Sequence, residues 1–167
     1  MPALMLKWAD WLTASHGFGG FSFYLPISRA ECARFEKQLL ELALKFPGIE
    51  LDYPVNQLRD VAERIKGVNW LTAVNDSIIT ELGGRERLKL IAPAETELHL
   101  YHGGAVLQLG DFPQMGNVAE DNIPQNYQML NRALKPVRVE PNRGWGNSAN
   151  SGFDREGTLK LLARFDV

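Results

Sequence analysis

The stretch Leu98-His99-Leu100-Tyr101-His102-Gly103-Gly104-Ala105-Val106-Leu107-Gln108-Leu109 decides the fold class of this chain. Two apolar runs, 98–100 and 105–109, flank a turn that contains two consecutive glycines. A Gly-Gly turn between apolar runs is typical of a β-hairpin, because glycine adopts the backbone angles that tight turns require. The stretch therefore predicts two antiparallel strands.

Upstream of the hairpin, strand and helix signals alternate. Residues 68–74 are apolar enough for a strand, and Asn75 or Asp76 can cap a short helix that Gly83-Gly84 ends. Residues 55–65 suggest another helix after Pro54.

The first third of the chain predicts a helix, a break, a strand and a second helix. Apolar residues at helical spacing predict the first helix over 2–13: Leu4, Trp8, Trp11 and Leu12. Residues 15–20 are glycine-rich and break it, and residues 21–25 predict a buried strand. Ser28 and Glu31 form a capping box that opens the second helix, whose apolar stripe is Cys32, Phe35, Leu39, Leu42, Ala43 and Phe46.

Downstream of the hairpin, a long polar loop over 111–124 leads to a helix that begins at Pro124 and ends at Pro136. Residues 137–139 predict a short strand, residues 141–152 a second loop, and Asp154 caps a final helix. This irregular order favours an α+β fold with an antiparallel or mixed sheet and helices packed mainly on one face. We predict a single domain over residues 1–167.

Composition excludes several classes of function. The 167 residues carry a net charge of −2, so they show no electrostatic footprint for binding nucleic acid directly. The N-terminus does not resemble a signal peptide, and no apolar run approaches the length of a membrane span. The single cysteine forms no disulfide within the chain. We therefore expect a cytoplasmic protein that does not bind membranes.

We find no convincing catalytic centre, so we predict a protein that is not an enzyme and needs no cofactor or metal. His99 and His102 have neither the strand nor the helix spacing of metal ligands. Cys32 lies on the apolar stripe of a capped helix, where core filling is expected. The acid pairs 95/97 and 120/121 are typical of solvated loops, and the glycine-rich segments lack a phosphate-loop pattern.

The two long loops are the best candidates for binding another protein. Residues 111–121 contain three acids and no lysine or arginine, namely Asp111, Glu120 and Asp121. The second loop, over 143–154, carries Trp145 and Phe153 among small polar residues that include Asn147. Aromatic and adaptable polar groups are common in protein interfaces. Trp145 has two equally supported roles, as an exposed anchor for a partner or as an anchor of its own loop against the core.

From Gly67 onward the sequence resembles a family of bacterial type VI secretion immunity proteins. The resemblance rests on the order and spacing of several segments: residues 67–74, Leu82-Gly83-Gly84, the strand pair, Gly110–Asn117, Ala133–Arg138 and Arg164-Phe165-Asp166. Many relatives carry additional strands before the segment that matches Trp8, so this chain is expected to lack the N-terminal part of longer relatives.

The resemblance implies a cognate inhibitor that binds and neutralises a type VI secretion effector toxin, plausibly a nuclease that acts in the cytoplasm. It supplies no catalytic residues. Toxin-binding candidates are therefore the loop residues themselves, Asp111, Glu120, Asp121, Trp145 and Asn147, and a homo-oligomer is also compatible. The alternatives are an adaptor or chaperone for a secreted effector, or a small hydrolase centred on His99, His102 or a carboxylate pair.

Overall fold

A computed structural model describes residues 2–24, 29–52, 57, 61, 63–146 and 152–166, and over this part the chain forms an α+β fold. In chain order the helices and strands are α1 (Pro2–Trp11), β1 (His16–Gly19), β2 (Phe21–Tyr24), α2 (Arg29–Lys45), β3 (Ile49–Asp52), β4 (Leu71–Asn75), α3 (Asp76–Glu81), α4 (Arg85–Ile91), β5 (Thr96–Tyr101), β6 (Gly104–Leu109), α5 (Gln125–Leu134) and α6 (Arg155–Leu162). Short 3-10 turns cover Val118–Glu120 and Lys135–Val137.

The main sheet has four antiparallel strands in the order β1-β4-β6-β5. The predicted hairpin is confirmed, with His99 opposite Val106 and Tyr101 opposite Gly104. All six residues of β6 are buried, so both faces of the sheet are covered at this strand. The predicted mixed architecture is confirmed by a second, two-stranded sheet in which β2 and β3 run parallel.

Several local predictions also hold. Asn75 caps α3 by accepting a hydrogen bond from the Ile78 amide, and Asp154 caps α6 by accepting one from the Gly157 amide. Helix α5 begins after Pro124 as predicted. The helix predicted over 55–65 falls largely outside the described residues, as do Ser28 and the side chains of Glu31 and Cys32.

Other predictions are wrong. Residues 15–20 contain strand β1 in addition to a helix break. Residues 137–139 form no strand, because the 3-10 turn through Val137 leaves only an isolated bridge between Arg138 and Ile65. In α2, the predicted stripe residues Phe35 and Leu42 are exposed, and the buried side carries Glu36, Leu40 and Ala43.

Two apolar clusters form the core. The larger one joins the main sheet to α3, α4 and α5, and includes Leu107, Tyr127 and Phe165. The smaller one lies beside the parallel sheet and includes Leu51, Trp145, Phe153 and Leu161. None of the described helices has the length and apolar character that a membrane crossing requires.

Three charged side chains are buried together in this fold. Glu50 accepts from Lys66 Nζ at 2.8 Å and from Arg164 Nη2 at 2.7 Å, and each of the three side chains is at most 3% exposed. Arg164 also donates to the carbonyls of Pro47 and Leu161. The Lys66 ammonium lies 5.9 Å from the ring centroid of Trp145. These contacts satisfy charges that would otherwise be strongly unfavourable in the interior.

Candidate interaction surface

The loop over residues 110–124, here called the acidic loop, is the most distinctive exposed surface. The carboxylates predicted to meet a partner, Asp111, Glu120 and Asp121, are all exposed, and none forms an ion pair with another described residue. Their charges are therefore available to a basic partner.

Large apolar side chains on the acidic loop also face solvent. Phe112 is 78% exposed, Met115 43% and Val118 48%. A solvent-facing aromatic beside unpaired acids has the composition of a protein interface, in which a buried aromatic anchor contributes most of the binding energy. The acidic loop therefore offers both an anchor and complementary charge.

Hydrogen bonds to the core hold the acidic loop in place. The indole of Trp70 donates to the Gly110 carbonyl at 2.8 Å, and the Gln114 amide donates to the Tyr127 hydroxyl at 3.1 Å. The Gly48 amide donates to the Met115 carbonyl at 2.8 Å. Because binding a preformed loop loses little conformational entropy, these contacts favour tight association.

Burial raises the pKa of Tyr127 to about 12, outweighing the opposite effect of its hydrogen bond from Gln114. The phenol therefore stays protonated at neutral pH, with an oxygen lone pair available to the Gln114 amide. This anchor of the acidic loop is insensitive to pH in the physiological range.

The second half of the acidic loop is a tight turn of its own. The amides and carbonyls of Asn117 and Asn122 pair with each other at 2.6 and 3.0 Å, and Asn117 caps the 3-10 turn. Asp121 has a φ of 53° and Gly116 a φ of 69°. A side chain at Gly116 would also meet Pro124 at 2.8 Å. Glycine is therefore required at this position.

The second predicted loop does not provide an exposed anchor. Trp145 is 0% exposed and belongs to the smaller core cluster. Its backbone amide donates to the Thr158 hydroxyl at 3.0 Å. Of the two roles expected for Trp145, the structure supports the one in which it anchors its own loop, so we remove it from the candidate surface. Asn147 lies outside the described residues.

Of the residues weighed for catalysis, the histidines and the acids lie in the described part of the chain, and the side chain of Cys32 does not. The Nε2 atom of His99 lies 3.0 Å from the Gln108 side-chain oxygen and 3.4 Å from a Glu97 carboxylate oxygen, while His102 is exposed. Glu95 accepts a hydrogen bond from Asn126. Within the described ranges, no three histidine, cysteine or acidic side chains group as a metal site.

The apolar members of the acidic loop were not among the residues predicted to bind a partner. Phe112, Met115 and Val118 stand at irregular spacing in a segment that is otherwise polar. Their irregular spacing was the signal that could have found them. An apolar residue that follows neither a strand period nor a helix period has no predicted core position, so exposure is a possibility to consider. Sequence alone does not show whether such a residue turns inward, as Trp145 does, or outward, as Phe112 does.

A comparison with solved structures places this fold among type VI secretion proteins. The chain is similar to the type VI secretion system protein PA0821 of Pseudomonas aeruginosa, with a TM-score of 0.82 and 27% identity. The match covers 98% of this chain and 46% of that protein, so the chain spans about half its length. A search of curated proteins found no significant match. The chain therefore shares its fold with a type VI secretion system protein.

The family can be stated more narrowly. A family model described as "TsiV: Type VI immunity for VRR-NUC" matches residues 1–165. The chain therefore belongs to the TsiV family, whose members provide immunity against a VRR-NUC nuclease toxin. The predicted family of secretion immunity proteins is confirmed.

Proposed function

We propose that this protein binds its cognate VRR-NUC effector in the cytoplasm through the acidic loop and blocks access to the nuclease active site. The observation that carries the proposal is the hydrogen-bonded loop bearing Asp111, Phe112, Glu120 and Asp121, whose carboxylates form no ion pair with another described residue and whose phenyl ring faces solvent. The protein acts by binding alone and performs no reaction.

Electrostatics and shape have separate roles in this mechanism. A nuclease binds phosphates through lysine and arginine, so its substrate-binding surface attracts a cluster of carboxylates. The three acids increase the rate of encounter and orient the two proteins. Phe112 then enters an apolar pocket on the effector, and this contact slows dissociation.

Co-expression tests the function of the whole protein. Bacteria that produce the cognate effector alone are expected to lose viability and degrade nucleic acid. Production of this chain in the same cells is expected to restore growth. Unchanged toxicity with both proteins present at equal levels would contradict the proposal.

An inhibition assay with purified proteins separates immunity from an adaptor role. We expect nuclease activity to disappear at a 1:1 ratio of this protein to effector. An adaptor would form the complex and leave the activity unchanged, which would disprove inhibition. Turnover of nucleic acid by this protein alone would instead indicate an enzyme.

The acidic loop itself is tested by Phe112→Ala with Leu90→Ala as its matched control. Both side chains are 78% exposed, and Leu90 lies on α4 outside the acidic loop. Loss of an aromatic anchor is expected to weaken effector binding by at least about 10-fold. Leu90→Ala is expected to leave binding unchanged. Equal effects of the two changes, measured by calorimetry, would place the interface elsewhere.

A further inference from the structure

Helix α1 presents an apolar surface to solvent. The side chains that form its apolar stripe are 55–79% exposed: Leu4, Trp8, Trp11 and Leu12. The helix contacts the sheet through its other side, where Ala9 is 5% exposed and Met5 packs against the larger core cluster. Two exposed tryptophans on one short helix are unusual for a surface that remains in water.

A groove runs between α1 and the edge strand β1. Its volume is about 450 Å³, with Leu4, Trp8 and Leu12 on one side and Leu71 and Ala73 among its other lining residues. Gly17 and Gly19 lie on the face of β1 toward α1, with Met5 within 3.7 Å of where their side chains would begin. Because both lack side chains, the groove stays open next to the protruding Trp11.

The groove itself carries almost no charge, and the exposed Lys7 of α1 is not among its lining residues. Among the described residues that line the groove, His16 alone is titratable, and burial lowers its pKa to about 4, so the ring is neutral at physiological pH. Of the charged residues on α1, Asp10 accepts a hydrogen bond from the His102 amide. The groove therefore attracts neither a basic nor an acidic partner.

The stripe is also symmetric about Trp8. Leu4 lies four residues before it on α1, and Leu12, the first residue after α1, lies four residues after it, with its amide still bonded to the Trp8 carbonyl. If two copies of α1 pack antiparallel about a two-fold axis at Trp8, the two Trp8 rings meet. Each Leu4 then faces Leu12 of the second copy. Self-complementarity of this kind is what an interface between identical chains requires.

We propose that α1 and its groove form a two-fold interface between two copies of this chain, with Trp8 at the axis and Trp11 inserted into the groove of the second copy. The four exposed side chains offer on the order of 500 Å² of apolar surface per copy, and the groove floor adds more. A stable interface buries about 800 Å² per partner, so a dimer of moderate affinity is expected. This inference is independent of the proposed nuclease inhibition.

Sedimentation velocity of the full chain alone, between about 1 and 200 µM, tests the interface. The expected result is a concentration-dependent shift from the mass of one chain to the mass of two. Trp8→Glu is expected to weaken dimerisation by at least about 100-fold, because it places two carboxylates at the axis without partners. Leu90→Glu is the matched control and is expected to leave the dimer intact, since Leu90 is equally accessible on α4.

A crosslinking experiment keeps the proposal testable if Trp8→Glu fails to fold. In a Cys32→Ser background, Trp8→Cys is expected to give a covalent dimer with a short bis-maleimide, and Leu90→Cys is expected to stay monomeric. A wild-type monomer at every concentration would overturn the proposal, as would a dimer unaffected by Trp8→Glu. If the wild-type chain is a monomer and Trp8→Glu abolishes its binding to the effector, the surface binds the effector and not a second copy.

Discussion

Glu50 illustrates how single residues stabilise this fold. Its carboxylate is the common partner of two buried cations, Lys66 and Arg164. Desolvation raises the pKa of Glu50, but the charges of Arg164 and Lys66 outweigh it and lower the pKa to about 2. The carboxylate therefore remains ionised throughout the physiological range and stays paired with both basic side chains.

Glu50→Gln is expected to destabilise the protein by about 3–5 kcal/mol, because it removes the carboxylate that both buried basic side chains share. Urea denaturation at neutral pH measures the change. Glu86→Gln is the control, since Glu86 pairs with Lys89 at an exposed site where ion pairs contribute little. Equal midpoints for the two variants would show that the buried network contributes nothing to stability.

His16 is expected to make stability depend on pH. Burial is the main reason that its folded-state pKa is lowered from 6.5 to about 4. Its ring donates from Nδ1 to the Ala73 carbonyl and accepts at Nε2 from the Lys66 amide, an arrangement that only the neutral form allows. Between these two pKa values the unfolded state binds more protons than the folded state.

The contribution of neutral His16 to the free energy of unfolding is therefore fully present above pH 6.5. It decreases as the pH falls toward 4, by up to about 3 kcal/mol. Below about pH 4.5, protonation of Glu50 in the unfolded state adds a further loss. His16→Asn is expected to flatten the stability profile between pH 6.5 and 4. Denaturation midpoints measured at several pH values for both proteins decide this, and parallel profiles would exclude His16 as the cause.

At the scale of elements, regular segments could be predicted from sequence where a local signal agrees with the tertiary contacts. The hairpin followed from its glycine turn, α3 from its Asn75 cap and α5 from its apolar period. Strand β1 could not, because its glycines pair with β4 more than fifty residues away and carry no strand preference of their own.

The same limit applied to the binding surface. The acids of the acidic loop could be predicted, because a run without lysine or arginine is visible in the sequence. The exposure of Phe112 and the burial of Trp145 could not, since each depends on distant partners. Thr158 holds Trp145 inward, and Trp70 fixes the start of the acidic loop.

Gly48→Ala is expected to disrupt the acidic loop. A side chain at Gly48 would overlap the Gln114 carbonyl oxygen. The Gly48 amide also donates a hydrogen bond to the Met115 carbonyl, which the overlap would disturb. We expect effector binding to fall by at least about 10-fold and the loop amides to exchange faster with deuterium.

Gly67→Ala is the control for this change. The nearest atom to a side chain at Gly67 is 3.9 Å away, on Arg164, so a methyl group fits there. If Gly48→Ala and Gly67→Ala bind the effector equally well, the shape of the acidic loop does not determine affinity.

At the scale of the whole molecule, the net charge of −2 conceals an uneven distribution. Several exposed acids are neutralised by a nearby base, as Glu81 is by Arg64 and Asp76 by Arg85. The carboxylates of the acidic loop form no such pairs within the described part of the chain. The long-range field of the molecule is therefore expected to be most negative near this loop.

Removing these three charges is expected to slow association with the effector. The triple variant Asp111→Asn, Glu120→Gln, Asp121→Asn should reduce the association rate by about 10-fold at low salt and weaken its dependence on ionic strength. Dissociation should change less, because Phe112 remains. The control is a second triple variant, Glu86→Gln, Glu140→Gln, Glu156→Gln, which changes the net charge equally. Stopped-flow measurements should show a smaller decrease in association rate for this control. The opposite ranking would exclude steering by the acidic loop.

The partnership between Glu50 and Arg164 also has a consequence for protein synthesis. The two residues are separated by 114 positions, so a ribosome must translate more than a hundred codons after Glu50 before its arginine exists. Contacts of such long range form late, and a nascent chain holds Glu50 and Lys66 without the third charge. Under the proposed function, a half-translated molecule would give no protection, so resistance to an incoming toxin would depend on protein that is already complete.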